Sequence, residues 1–551
     1  MSKVRFEPGS ITRQRLPRKN IIRSLIDRET NGIKSRMKFT KSFYQTVFPN
    51  CTIINVEKPP CYLRKFTPDG RHFIAFSHDQ LSVEVYEYQG CSAAANLLRK
   101  YKGNCISQNK EGEAVRMKIF DRLFKLKHRI RVSPDGEQLN RECSLFTDDG
   151  YYVLVGSAAI IPDDIRPQFY EIYSNNEAVS PNPLFPLEDY TLHLIDINLG
   201  RLCDSIHFKA DKIFLSHNQG LYLYKDTLAV LSVQHQTIHI YKIIDMQLYL
   251  LRSIGRYCYE DDQLLITSVY TIMNRAMYRP FRESSINGLK HKLMVFLYKK
   301  AQDEAKRTGS QFPLRKFYQY FNQFLSLRMW KMQLLDENHI LVRYASEEVA
   351  TIKIQEPNTQ ASFFMIYNMV STKVLDVFEN TSDELLNVYE NFCDFFRNSK
   401  INPEGFMPCS PSNNIFSKES HQKFKNTIIN AKFGGTTEAN KRILGQLPVG
   451  AQSFTSSPYL DTSLFSYDEK WVSPMERPKV VGEYPIRFYS RESGLLNFCL
   501  YTSESKGPNI IDRRRLVAFT FHPTDPFAIS VQRDNYDYVV NFHIRKVYLP
   551  E

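Results

Sequence analysis

Short apolar runs alternate with polar corners along most of the chain, and residues 66–88, FTPDGRHFIAFSHDQLSVEVYEY, show the pattern clearly. Two strand-forming runs, HFIAFS and LSVEVYEY, are separated by His78-Asp79-Gln80 and preceded by a Pro68-Asp69-Gly70 turn. The same order returns in RECSLFTDDGYYVLVGSA (141–158), with Asp148-Asp149-Gly150 as the turn, and in the three runs of 211–243, divided at Asn218-Gln219-Gly220, Lys225-Asp226 and His235-Gln236. It appears again over 329–354 and 516–545. Aromatic and β-branched runs of about five to eight residues with turn chemistry between them predict antiparallel meanders.

These units are spaced loosely around multiples of about 40 residues, the period of a four-stranded propeller blade. They extend over too much chain for one sandwich. The expected fold is therefore mainly β: a single atypical β-propeller of about seven blades with divergent repeats. The Trp-Asp signature is missing from 66–88, and FHPTDPFAISV near the C-terminal end mirrors that stretch, which places it close to ring closure.

Helical spacing interrupts the meanders in two places. Residues 285–306 carry Ile286, Leu289, Leu293, Phe296 and Leu297 on one face, and 315–330 continue the helical pattern. Ser382 is positioned to cap a helix running through Asn398, with Asp383 and Glu384 in the first turn. Leu385, Leu386, Tyr389, Phe392 and Phe396 form its apolar face. The expected domain plan is an N-terminal arm over 1–44 and a propeller over 45–551, with a helical insertion near 272–330 and a helix plus long cap near 381–480.

Composition supports a folded chain, with 42% hydrophobic residues, 38 Phe and 32 Tyr. The ten cysteines are scattered without Cys-x-x-Cys pairs, which fits reduced thiols in the nucleus or cytosol and gives no zinc ribbon. No stretch of about 18 apolar residues predicts a membrane span. The net charge of +13 is concentrated: residues 1–41 hold twelve Lys/Arg against three acids, so the arm supplies +9. Such an arm attracts an acidic protein face, nucleic acid or an import receptor.

Phosphate-cradling glycine loops, nucleophile elbows and His-Glu-x-x-His helices are missing, so neither a catalytic site nor a cofactor is expected. His235/His239 and Cys203/His207 each share a strand face but lack further donors for a four-coordinate metal. Glu260-Asp261-Asp262, the neighbouring Cys258 and Arg513-Arg514-Arg515 fit a solvated run, a core thiol and a solvated edge. The arm is the better candidate. Ile21, Ile22, Leu25 and Ile26 would share one face of a short helix near 20–30, ended by Asn31-Gly32, with Arg15, Arg18, Arg23 and Arg28 as steering charges. So short a helix is marginal alone in water, so it either packs on its own body or folds into a partner's groove.

Several long strings together resemble the de-etiolated protein family: NVEKPPCYLRKFTPDGRHFIAFSHDQ (55–80), LNRECSLFTDDG (139–150), LSHNQGLYLYK (215–225), RMWKMQLLDENH (328–339), FENTSDELL (378–386) and FHPTDPFAISVQR (521–533). The resemblance runs from about residue 45 to 545, and the sequence looks like an animal member. It implies a non-catalytic component of cullin-four RING ubiquitin ligases, without cofactor. The implied partners are the large subunit of the damaged-DNA-binding protein, its small associated helper, the constitutive-photomorphogenesis RING ligase and a ubiquitin-conjugating enzyme. Targets such as transcription factors would then be degraded. Histone or chromatin contact is the alternative role it implies, and the expected location is the nucleus, with the cytoplasm as a second site.

Overall fold

A computed structural model describes residues 42–546, apart from 102, 107–109, 135, 163–166, 173–176, 180, 182–185, 256–287, 351–359, 399–408, 454–456, 469–484, 502–514 and 535–536. The repeated turn has one geometry in both copies. Asp69 Oδ1 accepts from Thr67 Oγ1 and from Arg71 N, while Gly70 takes the left-handed φ of 75° that a side chain resists. Asp149, Thr147 and Tyr151 repeat these bonds, with Gly150 at φ 72°. The Thr hydroxyl also accepts from the amide five residues on, at 3.1 Å in the first copy and 3.0 Å in the second, so each turn delivers its strand at the same angle.

The described chain is mainly β and forms six sheets, none closed on itself. The first contains Cys61–Phe66, His72–Ser77, Ser82–Tyr88 and Phe124–Arg131. The second contains Gln138–Leu139, Leu145–Phe146, Tyr152–Ile160, Glu188–Asp196 and Arg201–Asp211. The third runs Leu221–Tyr224, Thr227–Ser232, Thr237–Ile244, Gln247–Ile254, and the fourth Leu327–Leu334, His339–Ser346, Ser362–Asn368, Lys373–Glu379. The fifth has Phe465–Ser466, Ile486–Ser490 and Leu496–Leu500. Arg515–Phe521, Phe527–Asp534 and Asp537–Ile544 make the sixth, which takes Cys51–Ile53 as an antiparallel neighbour of its last strand; Cys105–Ile106 adds in parallel. The two ends of the described chain thus share one sheet, and the count differs from the seven blades expected.

Period-two alternation sends successive residues of one strand into different cores. Phe73 and Ala75 join Phe527, Ile529 and Phe542 of the sixth sheet, while Ile74 and Phe76 join Val153, Val155 and Ile195 of the second. Likewise Leu154 faces the core shared by the second, third and fourth sheets, whereas Val153 and Val155 face the first. Burial on both faces explains why the central strands are continuous apolar runs. The mirrored motifs meet at the seam of the first and sixth sheets. The His522 ring lies 4.7 Å from those of Phe66 and Tyr88, and its Nε2 donates to Gly70 O at 2.8 Å.

Helices fill the interruptions. Helix α1 (Lys110–Leu123) buries Val115, Ile119, Phe120 and Leu123 against the first and sixth sheets. Helices α2 (Gly288–Thr308) and α3 (Phe312–Gln319) form the expected insertion, but the helical pattern of 315–330 ends early, because a strand of the fourth sheet begins at Leu327. The expected helix through Asn398 is broken at Phe392, whose φ of −123° and ψ of 35° separate α4 (Asp383–Asn391) from α5 (Cys393–Phe396). Ser382 caps α4 as expected, accepting from Leu385 N at 3.3 Å. Residues 347–350, expected in a strand run, are a helical turn, and 351–359 lie outside the described residues. In the 381–480 region, α6 (Ile415–Ile429) starts where Asn414 Oδ1 accepts from Phe416 N and Ser417 N; α7 (Thr436–Leu444) follows.

Candidate interaction surfaces

The proposed partner-binding residues Arg15, Arg18, Ile21, Ile22, Arg23, Leu25, Ile26 and Arg28 lie outside the described residues. What is described is where the arm joins the body. Tyr44 is buried against Tyr459 at 5.5 Å, and Phe48 stacks on Phe498 at 5.3 Å. Tyr459 Oη donates to Val47 O at 2.6 Å and Asn497 Nδ2 to Gln45 O at 3.0 Å. The chain therefore enters at the aromatic core shared by the fifth and sixth sheets.

The helices α4, α5 and α7 form a second surface. Leu385, Leu386, Tyr389, Phe396, Ile443 and Leu444 pack on Leu341, Phe364 and Phe378 of the fourth sheet. The module is pinned by Arg343, which is fully buried with its guanidinium 4.9 Å from the Trp330 ring and 5.3 Å from Phe364. Its Nη1 donates to Gly445 O and Leu447 O, each at 3.3 Å, and its Nε donates to Ser362 Oγ. Burial lowers its pKa to about 10. On the far side, Val388, Phe392 and Phe395 stay 38%, 60% and 49% exposed. The apolar face read from the sequence is thus split: Phe392 belongs to the outer stripe. Helix α6 is tied to α4 through Glu390, which accepts from Lys425 Nζ at 3.1 Å and lies 3.1 Å from His421 Nε2. Arg491, beside the fifth sheet, sits over the Phe416 ring at 4.6 Å.

A third feature was not anticipated. A cavity of about 750 Å³ is lined by parts of the first, second and sixth sheets, the turn at 216–218 and the segment 451–453. Gln452 links its walls, donating to Phe146 O and accepting from Phe146 N and Lys65 Nζ, the last two at 3.0 Å. Asn218 Oδ1 accepts from Ser144 N at 3.0 Å. The available sequence signal was the Arg64-Lys65 pair inside the strand CYLRKF.

The histidine pairs have local partners instead of forming a site. His207 Nδ1 lies 2.9 Å from Thr191 Oγ1 and His239 Nδ1 lies 3.0 Å from Ser253 Oγ. Cys258, Glu260-Asp261-Asp262, Arg513 and Arg514 lie outside the described residues.

A family model for De-etiolated protein 1 (Det1) matches residues 141–546. The chain belongs to the Det1 family. The light-mediated development protein DET1 of Solanum lycopersicum is 29% identical over 519 residues, covering 92% of this chain and 95% of the relative. The protein of the same name from Arabidopsis thaliana is 28% identical over 543 residues, with the same coverage. Both relatives are named for light-mediated development, and the family match runs from Leu145–Phe146 of the second sheet to Asp537–Ile544 of the sixth. The crystal structure of Chaetomium thermophilum Raptor aligns over 99% of this chain and 34% of its own at 8% identity, with a TM-score of 0.28 that is too low to carry a fold assignment.

Proposed function

We propose that this Det1-family chain is a non-catalytic adaptor of a cullin-four RING ubiquitin ligase. In this reading the six sheets and the α4–α7 module form one propeller-like ring, with the helices standing where a further blade would be. Consecutive shared cores support the ring: sixth with first, first with second, second through fourth, fourth with the helices, and fifth with sixth. The observation that carries the adaptor role is the outer stripe Val388, Phe392 and Phe395. Large apolar side chains left exposed close together on a clamped module suit protein docking.

The arm helix then docks the large subunit of the damaged-DNA-binding protein, with its small helper alongside. The body holds the constitutive-photomorphogenesis ligase and a ubiquitin-conjugating enzyme, so that targets are ubiquitylated in the nucleus or cytoplasm. The entry of the arm at the Tyr44/Phe48 cluster supports this division, because it fixes the base of the arm on a rigid core. The test is co-purification from nuclear extract at moderate salt. The Leu25→Asp/Ile26→Asp protein should lose ligase adaptor subunits while its melting temperature stays that of the unsubstituted chain. Retention of those subunits, or recovery of nucleosomes alone, overturns the reading.

A further inference from the structure

Consecutive residues of a regular strand point to opposite faces, yet Arg64 and Lys65 both line the central cavity. The register of Cys61–Phe66 against His72–Ser77 shifts between Leu63 and Lys65, and such a bulge re-aims a side chain. Each cation has polar contacts, but to neutral acceptors. Arg64 Nε donates to Ser144 Oγ at 3.1 Å and Nη2 to Glu142 O at 2.5 Å. Lys65 Nζ donates to the Gln452 amide oxygen and lies 5.0 Å from the Phe146 ring centroid. Arg141, on the same lining, stacks 3.9 Å over Tyr62 and reaches Gln80 Oε1 at 3.3 Å.

The two acids of the lining have other cations closer to hand, although the Glu142 charge still favours the Arg64 guanidinium. Glu142 lies 3.6 Å from His217 Nε2, and Glu188 pairs with Lys212 at 3.5 Å. Among the described residues, no carboxylate comes within ion-pair distance of Arg64, Lys65 or Arg141. Loss of hydration on burial pushes the Lys65 ammonium well below the usual lysine range, with the Arg64 charge adding to the shift. Two cations packed side by side, with the Glu142 carboxylate acting on Arg64 alone, carry a cost of desolvation and mutual repulsion, and an anion entering the cavity would offset it.

We propose that this cavity binds a small phosphorylated anion, held by Arg64 and Lys65, with Arg141 at the margin. Its volume of about 750 Å³ exceeds what a lone phosphate would fill and suits a compound with more than one phosphate group. Guanidinium and ammonium donors together fit phosphate oxygens, the first by its planar fork and the second as a point charge. This inference does not rest on the ligase reading and concerns a different part of the body.

The test is titration calorimetry and thermal unfolding of the full chain with inorganic pyrophosphate. Saturable binding near one equivalent and a rise in melting temperature are expected. Lys65→Met and Arg64→Gln should each weaken binding by about tenfold or more, as loss of a charge-assisted contact does. Lys65→Met should leave the melting temperature without ligand close to that of the unsubstituted chain, because relief from burying the ammonium offsets the lost contacts to Gln452 and Phe146. Lys299→Gln, an exposed change on α2, should leave binding unaltered. The proposal fails if pyrophosphate gives no saturable signal, or if a folded Lys65→Met or Arg64→Gln protein keeps full affinity. It also fails if an Asp/Glu-rich peptide binds and pyrophosphate does not compete with it.

Discussion

Replacing Arg343 with Met should detach the helical module from the fourth sheet while leaving the sheets assembled. Met keeps much of the unbranched stem but has no donor for Gly445 O and Leu447 O, which now accept from Nη1. A buried carbonyl that loses its donor costs about 1–3 kcal/mol, so the pair sets a loss of about 2–6 kcal/mol. Losing the contacts to Trp330 and Phe364 adds to it, at about 0.5–2 kcal/mol each. Relief from burying the guanidinium opposes both terms, since a buried charge can be replaced by a well-packed apolar group at little net cost. The expected balance is a loss of about 2–4 kcal/mol, concentrated on α4, α5 and α7. Hydrogen exchange followed by mass spectrometry resolves this by segment. Amides of 436–447 should exchange about 30-fold or more faster, the equivalent of at least 2 kcal/mol, while those of Thr227–Ser232 in the third sheet stay protected. Unchanged protection over 436–447 would refute the pinning role, and equal loss across both segments would show that Arg343 supports the whole body instead.

His193 and His543 are buried neutral, with burial lowering their pKa values to about 4 and about 3. Between about 6.5 and those values the unfolded chain binds more protons, so stability should fall with falling pH by up to about 1.4 kcal/mol per unit for each group; melting temperatures recorded from pH 7 to 4.5 check this, and a flat profile contradicts it. Gly70→Ala should destabilise far more than Gly150→Ala although both have left-handed φ, because the new Cβ at 70 falls 2.4 Å from His522 whereas the nearest atom at 150 is 3.8 Å away; paired urea melts decide. Phe392→Asp/Phe395→Asp should leave the melting temperature within a degree or two but remove a body-bound partner from pull-downs, and loss of folding instead would place both residues in the core.

The β character, the repeated turns and the contact between mirrored motifs were legible because each depends on local chemistry. Thr67-x-Asp69-Gly70 and Thr147-x-Asp149-Gly150 specify the same hydrogen bonds wherever they occur. Ser382 likewise declared a helix start. The break at Phe392 was not legible, since the apolar residues continue at helical spacing across it and only packing on the fourth sheet sorts Tyr389 and Phe396 inward from Phe392 outward. The cavity was hidden for a related reason. Arg64-Lys65 in CYLRKF resembles an ordinary solvated pair until the bulge and the 451–453 segment bring both side chains to the lining of one cavity. Its third wall comes from residues almost 400 positions away in sequence, as in the Lys65 to Gln452 bond, and no local pattern reports such a meeting.

The sixth sheet connects these features in a way that neither terminus shows alone. Cys51–Ile53 supplies its fourth strand, and Thr52 Oγ1 lies 3.0 Å from His543 Nδ1, whose other ring nitrogen lies 2.9 Å from Ser530 Oγ. Few residues separate this strand from Tyr44 and Phe48, which are themselves held by Tyr459 and Phe498. The strand offers only three paired residues to Asp537–Ile544. The cluster contributes buried aromatic area beside this short strand, close to where the described chain begins.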